Sequence, residues 1–84
     1  MSSDDEILER MRRHPIGWRY AELTRLLRRA GFALLSTRGS HRKWVHPRGA
    51  AVVLVDVPGS VKPVYVHDTV AAIDESRRGR AQDA

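Results

Sequence analysis

Residues 32–57 read FALLSTRGSHRKWVHPRGAAVVLVDV, and the class of the fold turns on this stretch. Phe32 to Thr37 is short and apolar, and Arg38-Gly39 forms a turn after it. His41 to His46 is a second β-prone segment, closed by Pro47-Arg48-Gly49. Ala51 to Val57 is β-branched and nearly all apolar, the composition of a strand that is well covered. Turns this tight join antiparallel neighbours, so three strands in a meander are predicted.

Helical patterns lie on both sides. Upstream, Tyr20, Leu23, Leu27 and Ala30 recur at three- and four-residue spacing, with Leu26 widening the face and Arg25, Arg28 and Arg29 opposite. Gly31 stands where a left-handed residue ends such a helix, and Phe32 can fold back on the last turn. Before it, Ser3-Asp4-Asp5-Glu6 reads as a capping box, Ile7, Leu8 and Met11 form a short stripe, and Pro15 halts a helix of about 4–13. Downstream, Pro58-Gly59-Ser60 breaks the third strand, and Lys62-Pro63 leads into a helix with Val66, Val70 and Ile73 in a row. After Ser76, residues 77–84 hold little to bury and read as a basic, disordered tail. The element order α-α-β-β-β-α predicts an α+β domain over 1–76, with helices on one face of a three-stranded antiparallel sheet. The other face is left open to a ligand or partner.

Composition narrows the function. Eighty-four residues without a cysteine leave room for one core and exclude disulfides, thiolate chemistry and Cys-rich zinc sites. No pair of histidines has zinc-ligand spacing beside a supporting carboxylate, so no metal is expected. No apolar run nears the ~20 residues of a membrane span, and Met1-Ser2-Ser3-Asp4-Asp5-Glu6 does not start a signal peptide. A cytoplasmic protein fits these features. Residues 10–62 carry twelve Lys and Arg against Glu22 and Asp56 alone, a local excess of ten positive charges. Such an excess suits a phosphate-bearing partner or an acidic protein.

One hexapeptide gathers the groups that RNA cleavage needs: Gly39-Ser40-His41-Arg42-Lys43-Trp44. His41 follows a turn and can exchange a proton near neutrality. The two-residue period puts His41, Lys43 and Val45 on one face and Arg42, Trp44 and His46 on the other. Both faces mix charge with apolar character, so the pattern does not say which points inward. Lys43, with Arg42 or Arg38, can offset charge on a phosphate, and N–H groups of the turn at Gly39 and Ser40 can hold a phosphate oxygen. Trp44 is read as either a core residue or a base-stacking one. His46 points away from His41 and is read as structural or RNA-contacting rather than as a second proton donor.

Leu26-Leu27-Arg28-Arg29-Ala30-Gly31-Phe32, followed by Gly39-Ser40-His41-Arg42-Lys43-Trp44-Val45-His46-Pro47, resembles the HicA family of toxin–antitoxin mRNA interferases. Lys62-Pro63 and the spaced valines beyond it fit the same pattern, and the resemblance covers about residues 20–75. It implies a double-stranded-RNA-binding-like fold and metal-independent, cofactor-free cleavage of mRNA, blocked by a HicB-like antitoxin protein. The family's catalytic histidine falls on His41 and its turn on Gly39 and Ser40. The short Asp56-to-Val61 link and the valine-rich stretch to Val66 depart from the family pattern. Two other readings share the basic middle of the chain: a non-catalytic RNA-binding module of the same fold, and a scaffold for an acidic protein.

Overall fold

The computed structural model describes residues 3–83, with side chains through Arg78. Asp4, Asp5 and Glu6 in the first turn and Arg10, Arg12 and Arg13 in the last oppose the dipole of α1, Ser3–Arg13. Its Leu8 and Met11 are fully buried, each burial favourable by about 1.5–3 kcal/mol. Among the described residues, ion pairs tie this helix to the rest: Arg12 to Asp74 at 2.7 Å, Arg29 to Asp4 at 2.7 Å and Arg77 to Asp5 at 2.9 Å. The hydrogen bond to Asp74 raises the pKa of the Arg12 guanidinium above its ordinary value. These pairs are largely exposed and contribute little to stability, so Leu8 and Met11 dock the helix.

The second helix, α2, is Tyr20–Arg29, with Leu23, Thr24, Leu26 and Leu27 buried. Glu22 accepts the Arg19 N–H at 2.8 Å and thus caps its start. At its end Phe32 N–H reaches the Leu27 carbonyl at 2.9 Å, and Gly31 N–H reaches that of Arg28 at 3.1 Å. With Gly31 at φ +101° this is a Schellman motif, as the Gly31-Phe32 pair led us to expect.

The strands are β1, Ala33–Arg38, β2, His41–Val45, and β3, Ala51–Val55, and they form one antiparallel sheet in the order β1-β2-β3. Trp44, Val52 and Leu54 are buried together with Leu23, Leu27, Val66 and Ile73. The helices thus cover one face of β2 and β3. β1 is left more open: all six of its residues are exposed, and Leu34, opposite Trp44, remains 45% exposed.

The last helix, α3, is Pro63–Asp83. Val66, Thr69, Val70, Ala72, Ile73 and Ser76 are buried along it, and the two hydroxyls are satisfied by the Tyr65 and Ile73 carbonyls at 2.8 and 2.7 Å. A disordered tail was expected from residue 77. The helix instead continues through that point. At that boundary Ser76 donates to the Ile73 carbonyl in the preceding turn and Arg77 pairs with Asp5. Ala84, the last residue of the expected tail, lies outside the described residues. The series α2-β1-β2-β3-α3 has the order of the double-stranded-RNA-binding-like fold, with α1 added ahead of it.

Candidate functional site

The β1–β2 hairpin closes in two residues, Gly39 and Ser40, one residue later than the sequence suggested for Arg38. Gly39 has φ +57° and Ser40 has none of the positive φ that a type I′ turn requires at both positions, which leaves the Gly-first turn with the twist that suits a hairpin. Arg42 holds this turn from the side opposite His41. Its guanidinium donates to the Gly39 carbonyl and lies 3.6 Å from Asp56. Asp56 N–H in turn donates to the Ser40 carbonyl at 2.8 Å. Arg42, expected among the phosphate-binding cations, is therefore half-buried and engaged in the turn.

His41 opens β2 and is exposed. It is paired with Arg38 of β1 on one side and Val55 of β3 on the other. One rung along the same face, Lys43 sits between Ser36 and Val53. Ser36, Arg38, His41, Lys43 and Val53 line a shallow depression of about 380 Å³ on the uncovered face of the sheet. No carboxylate lines it, and neither Arg38 nor Lys43 has an ion-pair partner among the described residues. The arrangement presents one proton-exchanging group between cations, on a surface open enough for a chain to lie across it.

The other face carries the two remaining expected contacts elsewhere. Trp44 is 1% exposed, with the Arg28 guanidinium 5.1 Å above its ring. It belongs to the hydrophobic core, the first of the two readings the sequence offered for it. Its indole N–H has no hydrogen-bond partner among the described residues, a feature for which we have no physical account. His46 is locked at both ring nitrogens. Nδ1 accepts the Arg48 N–H at 3.1 Å, which fixes the proton on Nε2, and Nε2–H donates to the Ala30 carbonyl at 3.1 Å. The ring also meets Phe32 edge-on, with centroids 5.1 Å apart and planes at 62°. A Cβ on Gly31 would lie 3.0 Å from Nε2. Gly31, Phe32 and His46 thus form a clasp between the end of α2 and the end of β2. These contacts give His46 a structural role.

Two residues of the depression, Ser36 and Val53, were not among the expected site residues. Val53 was legible as one side of an alternating strand. Ser36 was not, since its face depends on an irregularity in the pairing of β1. Among the described residues no three His, Asp or Glu side chains are placed to hold a metal ion together, and no helix is long and apolar enough to cross a membrane.

Residues 20–68 match the family model described as HicA toxin of bacterial toxin-antitoxin. No curated protein and no solved structure matches the chain. The matched span is more than half of the 84 residues, and it holds α2, the whole sheet and the start of α3. With the family model matched over more than half of its length, the chain belongs to the HicA toxin family of bacterial toxin–antitoxin systems.

Proposed function

We propose that this toxin is an endoribonuclease that cleaves mRNA in the cytoplasm without a metal or other cofactor, and that His41 is its catalytic residue. The observation that carries the proposal is the position of His41: exposed, on the uncovered sheet face, with Arg38 directly opposite and Lys43 one rung away. Neutral His41 takes the proton of a ribose 2′-OH, whose oxygen attacks the adjacent phosphorus. The bond from phosphorus to the 5′-oxygen breaks, leaving a 2′,3′-cyclic phosphate on one fragment. No second histidine lines the depression, so the protonated His41 returns the proton it took, directly or through a water, to the departing 5′-oxygen. Arg38 meets the charge that builds on the phosphate, and Lys43 holds the RNA backbone beside it.

Arg42, Gly39 and Ser40 serve this chemistry indirectly, by fixing the turn from which β2 starts. DNA lacks the attacking hydroxyl and is not a substrate. A HicB-like antitoxin protein is the partner that neutralises the toxin, and coverage of the open face would suffice for that. In the test, wild type and His41→Ala are expressed, both are shown to fold, and growth and RNA integrity are compared, with purified-protein assays repeated in excess EDTA. The wild type arrests growth and degrades RNA in EDTA, while the variant does neither. A folded His41→Ala protein that remains as toxic and cleaves as well removes the catalytic assignment. RNA binding with no cleavage by the wild type identifies a binding module instead.

A further inference from the structure

The pairing of β1 with β2 contains an irregularity that decides what faces His41. Leu34 lies opposite Trp44, Ser36 opposite Lys43, Thr37 opposite Arg42 and Arg38 opposite His41; the register shifts between Leu34 and Ser36. Strict alternation from the Leu34–Trp44 pair would set Leu35 opposite Lys43 and Thr37 opposite His41. The extra residue, Leu35, is a β-bulge, and bulges re-aim the side chains that follow them. It exchanges Leu35 and Thr37 on the open face for a hydroxyl, Ser36, and a cation, Arg38. Ser36 is exposed and lines the depression with Lys43. Its hydroxyl has no hydrogen-bond partner among the described residues.

We infer that Ser36 and Lys43 form a phosphate-binding rung beside the catalytic one, with Ser36 as a further substrate-binding residue and the Leu35 bulge as the device that places it. The inference rests on the RNA-cleaving reading above. Successive rungs on one sheet face are about 7 Å apart, a separation on the scale of one nucleotide step. Arg38 and His41 take the scissile phosphodiester, and Lys43 and Ser36 take its neighbour. Lys43 supplies the charge. Ser36 donates its O–H to a non-bridging phosphate oxygen, a charge-assisted bond of the stronger kind.

The test measures binding of a non-cleavable 2′-O-methyl RNA oligonucleotide to the wild type, Ser36→Ala, Ser36→Thr and Thr37→Ala, alongside cleavage of the unmodified RNA. Loss of a hydrogen bond to a charged group corresponds to a roughly tenfold to hundredfold weaker Kd, so Ser36→Ala should show about that loss, with KM raised and kcat nearly unchanged. Ser36→Thr keeps the hydroxyl and should bind within about threefold of wild type. Thr37→Ala, on the Arg42 face, should match wild type. Unaltered binding by Ser36→Ala, or an equal loss in Thr37→Ala, overturns the inference. If the wild type binds no RNA, this rung and the nuclease reading both fall. If Ser36→Ala loses binding while folded His41→Ala still cleaves, the rung stands and the catalytic assignment alone is lost.

Discussion

Substitution of Gly31 by Ala tests the clasp that anchors β2, and its size follows from the structure. Gly31 adopts φ +101°, where an L side chain is strained, and the added Cβ would stand 3.0 Å from Nε2 and 3.3 Å from Cδ2 of His46. A left-handed conformation costs a residue with a side chain about 1–2 kcal/mol. The His46 ring cannot retreat freely, because the Arg48 N–H holds its other nitrogen and the Phe32 ring meets it edge-on. Displacement would break the hydrogen bond to the Ala30 carbonyl, worth a further ~0.5–1.5 kcal/mol. The sum is about 1.5–3.5 kcal/mol. With a urea slope of about 1 kcal/mol per molar for a domain this small, the unfolding midpoint should drop by roughly 1.5–3.5 M. The double variant Gly31→Ala/His46→Ala separates the two contributions. With the ring gone only the backbone strain remains, so the two losses should fall short of additive by about 1 kcal/mol. Strict additivity, or a midpoint shift below about 0.5 M, would show that Gly31 and His46 do not act together.

Lys43→Met should fold as wild type and lower the slope of log K against log salt for single-stranded RNA by about 0.7, the share of one phosphate contact; an unchanged slope removes Lys43 from the interface. Trp44→Phe should stay folded, within about 1.5 kcal/mol of wild type in urea, and bind RNA equally well, whereas a binding loss without unfolding would mean that Trp44 does touch RNA. Leu8→Ala should destabilise by about 2–5 kcal/mol and Arg12→Met by about 0.2–1 kcal/mol; the reverse order in chemical denaturation would show that ion pairs, not burial, dock α1.

The features read correctly from the chain are those determined by near neighbours. Gly31 and Phe32 announce the end of α2 because a Schellman motif is closed by residues within one turn. The valines of β3 announce a strand by composition, but not that it lies at the sheet edge with only Val52 and Leu54 buried and Val53 left open. What escaped the sequence depends on partners far along the chain. Both faces of β2 mix charge and apolar groups, and only the packing of Trp44 beneath Arg28 decides which is inward. The run Ala33-Leu34-Leu35 has no alternation and no glycine to mark a bulge, so the face of Ser36 becomes visible only in the pairing. The engagement of Arg42 with the turn is hidden for a like reason, because its partner Asp56 lies just beyond the end of β3. The contact of Arg77 with Asp5, at a separation of 72 residues, is likewise invisible to local pattern.

The most direct test of the account is the single-turnover cleavage rate of a defined single-stranded RNA by purified wild type and His41→Ala, with the fold of each checked by circular dichroism. Removal of a positioned proton-transfer group should slow cleavage by about 10²–10⁴, with RNA binding within a few-fold of wild type and a 2′,3′-cyclic phosphate on the wild-type product. An unchanged rate in the folded variant, or a wild-type product ending in a 3′-hydroxyl, would contradict it.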